Sequence, residues 1–101
     1  MVVYNITIKV EPQIEAEWKK WQIDGHIPAV MATGLFTENR FFRLLDEDES
    51  DGITYVIQYY ASSLAEYKKY IDDFDTSLRK KTSERWSNQL IAFSTVMEIV
   101  H

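Results

Sequence analysis

The stretch VVYNITIKVEPQIEAEWKKW, Val2 to Trp21, changes its hydrophobic period part-way along. From Val2 to Val10 the pattern alternates. Val2, Tyr4, Ile6, Ile8 and Val10 fall on one side and Val3, Asn5, Thr7 and Lys9 on the other, so a half-buried strand rich in β-branched residues is predicted there. Glu11-Pro12 ends it, because proline cannot donate to a ladder. From Gln13 the spacing becomes three and four. Ile14, Trp18 and Trp21 share one helix face, with Glu15, Glu17, Lys19 and Lys20 mostly outside.

The segment that follows, DGHIPAVMATG (Asp24–Gly34), is expected to close this helix. Gly25 reads as an interruption, and Pro28 disfavours helical geometry at Ile27. A second short helical turn is predicted from Ala29 to Thr33, with Pro28 near its first position and Gly34 as its stop. Leu35 to Leu45 reads as a second strand, and DEDESDG as a turn ending in Asp51-Gly52. Ile53 to Ala61 alternates again, with Ile53, Tyr55, Ile57 and Tyr59 on one face. Ser63-Leu64-Ala65-Glu66 has the form of a capping box, and after it Leu64, Tyr67, Ile71, Phe74 and Leu78 recur at three and four. Leu90 to Val100 is the last predicted strand.

The predicted order is therefore β-α-β-β-α-β across one domain, residues 1–101. That is the α+β, ferredoxin-like split arrangement: a four-stranded antiparallel sheet with two main helices on one face. The helices belong over Tyr4, Ile6 and Ile8 with Tyr55, Ile57 and Tyr59. The other face carries Val3, Val56 and Tyr60 among polar neighbours, and the second and fourth strands are apolar on both sides. Two helices cannot cover both faces of a sheet, so a homodimer burying the open face is expected.

Composition narrows the function classes. The 101 residues carry a formal net charge of −5, and 14% are aromatic. The one basic cluster, Arg79-Lys80-Lys81, follows acids in the same segment, so no nucleic-acid partner is expected. There is no cysteine, which removes disulfides, thiolate nucleophiles and thiolate metal sites. No apolar run reaches membrane-spanning length and the first residues lack a signal-peptide pattern, so a cytoplasmic protein with no membrane partner is expected.

VVYNITIKV, the pair Trp18 and Trp21, HIPAVMATGLF (His26–Phe36), GITYVIQYY (Gly52–Tyr60) and IAFSTVMEIV together resemble a family of small bacterial proteins known only as a domain of unknown function. That family is similar to the dimeric α/β-barrel superfamily. The superfamily includes cofactor-free monooxygenases of antibiotic synthesis, small isomerases, haem-dependent enzymes and stress proteins. The resemblance implies a site between sheet and helices within each subunit, bordered by the segment after the first helix.

The candidate ligand pocket is accordingly Tyr4, Trp18, Trp21, His26, Tyr55 and Tyr59. His26 is the candidate catalytic residue, as the one side chain in that neighbourhood suited to proton transfer near neutral pH. The tyrosine hydroxyls could converge with it on an enol- or phenol-like substrate. The structural alternative has His26 bonding loose carbonyls at the end of the first helix. Trp18 and Trp21 could stack on a flat ligand or simply form core. DEDESDG fails the calcium-loop register, and Asp72 with Asp75 reads as charged surface. No metal and no cofactor are expected. Three functions stay open: a binder of a small apolar or aromatic molecule, a cofactor-free monooxygenase- or isomerase-like enzyme with His26 as general base, and a ligand-free dimeric interaction protein.

Overall fold

The computed structural model describes residues 1–101. Four strands, β1 (Val2–Val10), β2 (Glu38–Arg43), β3 (Ile53–Ala61) and β4 (Leu90–Glu98), form one sheet in the order β2-β3-β1-β4. Every pairing is antiparallel. The first strand lies inside the sheet because its alternation gives it a buried face, while the last strand closes one edge. Cross-strand partners share a face, so the register sorts the side chains into rows. On the covered side one row runs Phe41, Ile57, Ile6, Ser94, another Arg43, Tyr55, Ile8, Ala92, and a third Asn39, Tyr59, Tyr4, Val96.

Two helical rods lie over that side. The first comprises α1 (Glu15–Trp21), a π turn over Gln22–His26 and α2 (Ile27–Met31); the second comprises α3 (Leu64–Tyr70), a π turn over Ile71–Asp75 and α4 (Thr76–Trp86). Ser63 caps the second rod by accepting from the Glu66 N–H at 3.3 Å, which is the predicted half of a capping box. A cluster of 16 buried apolar residues fills the space between the layers, with Trp18, Trp86, Tyr4, Tyr59 and Ile57 among the most enclosed. Full burial of an aliphatic or aromatic side chain of this size contributes roughly 1.5–3 kcal/mol. The arrangement is the ferredoxin-like one expected from the alternation of periods.

Three expectations need correction. The first rod does not end at Gly25: the chain stays helical through it, Ile27 has φ −59° and ψ −46°, and the Ile27 N–H bonds back to the Gln22 carbonyl across a π turn. Regular α-helix would push the Pro28 ring against the carbonyl four residues earlier, and a wider turn accommodates it. The rod ends instead at Gly34, whose φ of +77° suits glycine and whose N–H bonds to the Met31 carbonyl at 3.1 Å. Second, β2 is shorter than Leu35 to Leu45. Leu35 and Phe36 precede it as buried loop residues of the core. Third, Asp75 is not charged surface but is 8% exposed.

The opposite sheet face carries no helix. One row across it is Phe42, Val56, Thr7, Phe93, and the next is polar: Arg40, Gln58, Asn5, Thr95. Phe42, Ile91, Phe93 and Met97 are exposed there. No helix of the protein is long and apolar enough to cross a membrane.

Candidate functional site

Between the sheet and the two rods lies a cavity of about 200 Å³. Tyr4, Ile6 and Ile8 of β1 and Tyr59 of β3 form its floor. Trp18, Gln22, His26 and Val30 enter from the first rod, Tyr70, Asp75, Leu78 and Arg79 from the second, and Leu90, Ala92 and Ser94 of β4 border it at the sheet edge. For scale, a dry engineered cavity of about 150 Å³ accepts benzene.

Of the six residues predicted for a pocket, the structure brings Tyr4, Trp18, His26 and Tyr59 to this cavity. Trp21 stands behind His26, stacked on its ring at 4.6 Å between centroids and 19° between planes. Its other neighbour is Trp86, met edge-on at 5.8 Å. Tyr55 sits outside the lining. It packs against Trp18 and Phe41, and its hydroxyl donates to Glu15. Burial and that carboxylate together push the Tyr55 phenol up to about 12, and the bond in turn holds Glu15 below its ordinary range.

His26 is not at a helix end, so the alternative that makes it a clamp on loose carbonyls fails. It is the last residue of the first π turn. Burial, reinforced by the positive charge of Lys81, lowers its pKa to about 4. At neutral pH the imidazole is therefore uncharged and has a lone pair to offer, but it is a weak base.

The second π turn ends on Asp75, and this carboxylate organises a polar cluster at the cavity wall. The Tyr4 hydroxyl donates to Asp75 Oδ1 at 3.2 Å. Arg79 Nε reaches Asp75 Oδ2 at 2.7 Å, while Arg79 Nη2 donates to the Tyr4 oxygen at 2.9 Å and to Ser94 Oγ at 3.4 Å. Burial raises the Tyr4 phenol above its ordinary value, against the opposing pull of the Arg79 hydrogen bond. Asp75 and Arg79 are the site residues missed in the sequence. Their signal was present: Ile71, Asp75, Leu78 and Thr82 follow the spacing of a buried face, so a carboxylate occupied an apolar position with an arginine one turn on.

Both π turns thus end on a polar side chain that lines the same cavity, and such wide turns recur at functional sites. Trp18 Nε1, Gln22 Oε1 and Trp86 Nε1 are buried and make no hydrogen bond within the chain, although such groups are normally satisfied. No cluster of three or more His, Asp or Glu side chains is positioned to hold a metal ion.

No curated protein matches the chain. Among solved structures, a dimeric ferredoxin-like protein from an uncultured marine organism superposes with a TM-score of 0.74 at 10% identity, covering 99% of this chain and 95% of its own. MhuD, with two manganese protoporphyrin IX bound per active site, gives 0.72 at 17% identity, covering 100% and 96%. SnoaB, a cofactor-independent oxygenase from Streptomyces nogalater, gives 0.68 at 11% identity, covering 99% and 94%. These likenesses establish the ferredoxin-like fold. Residues 1–100 match the family described as Domain of unknown function (DUF4286), and the chain belongs to that family.

Proposed function

We propose that this protein binds a small, flat, largely apolar molecule in the cavity between its sheet and its helices, one in each subunit of a homodimer. The cavity itself carries the proposal. Its volume of about 200 Å³ suits a single aromatic ring with its substituents. Its floor is apolar and aromatic, and its polar groups come from the two helical rods and the β4 edge, the division of labour expected of a ligand site. An interaction protein without a ligand would have a filled interior there.

The homodimer rests on the open sheet face. Exposed Phe42, Ile91, Phe93 and Met97 form an apolar surface that a second copy can cover in dimeric α/β-barrel fashion. The neighbouring protein described as dimeric and ferredoxin-like supports this assignment.

A cofactor-free, monooxygenase- or isomerase-like enzyme is the second reading, favoured by His26. The imidazole lines the cavity with Tyr4 and Tyr59 and is uncharged at neutral pH. In this reading it accepts a proton from an acidic C–H or O–H of the ligand, with the Arg79 guanidinium stabilising the resulting oxyanion. The oxygenase neighbour lends this reading support.

The test is binding of phenol, followed by ligand-observed NMR, to the native protein and to Ala92→Trp. Ala92 is exposed on the cavity border, so an indole there blocks entry without disturbing buried core. Saturable binding by the native chain, reduced at least about tenfold by the variant, is expected. Absence of binding, or equal binding by both, would overturn the proposal.

A further inference from the structure

Resting on that reading, we propose that the cavity's occupant is a small monocyclic carboxylic acid, held as its anion by Arg79. The guanidinium is the group on which this turns. Asp75 fixes its Nε edge at 2.7 Å, and Tyr4 and Ser94 accept from Nη2 at 2.9 and 3.4 Å. Both N–H groups of Nη1 are left without a protein partner. The plane of the guanidinium is set in advance, so little side-chain freedom is lost when a carboxylate docks on its open edge.

The pair is also presented unequally. The Arg79 side chain is 61% exposed and that of Asp75 12%. Of the pair, the cation is the more accessible to an incoming molecule. Asp75 is the only carboxylate in the lining, and its oxygens are already engaged by Tyr4 and Arg79. Lys81, near enough to His26 to disfavour its protonation, adds positive charge on the same rod. In a chain of net charge −5, a cavity with this polarity selects an acid over a base.

The aromatic and aliphatic floor of Tyr4, Ile6 and Tyr59 offers the acid's ring an apolar bed.

Calorimetric titration with 4-hydroxybenzoate, its neutral isostere 4-hydroxybenzamide, and phenol tests this in the native protein. The acid is expected to bind at least about tenfold tighter than the amide, because only the acid forms charge-assisted bonds with Arg79. The double variant Asp75→Asn/Arg79→Gln removes both charges together, so no buried carboxylate is stranded. It should bring acid and amide within about twofold of each other. Equal affinity for acid and amide in the native protein, or a preference that survives the double variant, overturns the assignment of Arg79. If phenol and the amide bind while the acid has no advantage, the cavity remains a ligand site and only this inference falls. If none of the three binds, the small-molecule proposal falls with it.

Discussion

Acidification should cost this protein stability through one side chain, His26. Its pKa drops from an ordinary 6.5 to about 4 because burial, and then Lys81, disfavour the imidazolium. A histidine with a lowered native pKa leaves stability unchanged above the unfolded value, where both states hold the neutral ring. Below it the unfolded chain takes up a proton that the native chain refuses. The loss therefore begins near pH 6.5, grows as pH falls, and levels off below about 4. The difference between the two pKa values corresponds to about 3 kcal/mol, and since the ring retains partial solvent contact, about 2 kcal/mol is the better expectation. His26→Phe keeps a ring to stack on Trp21 and cannot titrate. Urea unfolding of both proteins at intervals from pH 7.5 to about 4 isolates the effect, because every other acid-sensitive group is common to them. The native protein should lose about 2 kcal/mol relative to the variant, nearly all of it below pH 6.5. Stability curves that fall in parallel would refute the buried, proton-refusing imidazole, and with it the neutral base that the enzymatic reading requires.

Two further outcomes follow from the geometry. Replacing Phe42 and Ile91 together by glutamate places like charges on the open sheet face, so sedimentation velocity should show a monomer where the proposed homodimer requires a dimer of the native chain; an unchanged sedimentation coefficient would exclude that face as the contact. Tyr55→Phe removes the hydroxyl bond to Glu15 while keeping the contacts with Trp18 and Phe41, so it should cost about 1–2 kcal/mol in urea unfolding and leave phenol affinity unchanged, whereas a lost affinity would return Tyr55 to the site.

The sheet was legible in the sequence because β1 and β3 each bury one face, and a period of two follows directly from that. The second rod was legible through its capping box and its apolar stripe. The first rod was not. Gly25 and Pro28 are strong local breakers, and what overrides them is a wide turn held between Trp18 and Ile27, both anchored in the core. The same limitation hid part of the site. Tyr4, Trp18, His26 and Tyr59 followed from their faces or from proximity to the first helix, but Trp21 and Tyr55 share such faces and point elsewhere once packing sets their neighbours. Asp75 was discounted because a carboxylate reads as surface until a phenol and a guanidinium are known to meet it, and their separation in the chain from Tyr4 conceals that meeting.

The wide turns also give each rod a phase. A π turn holds one more residue than the α turn it replaces, so helix before and after it are offset by about 100° from the relation a regular helix would impose. Removing one residue between Trp21 and Ile27 would let the rod close as ordinary α-helix. Either His26 would then swing off the cavity wall or Ile27 and Val30 would leave the core, and because core burial dominates, the histidine would move. The same holds for Asp75 in the second rod. The length of those two turns, then, governs whether His26 and Asp75 reach the cavity wall at all.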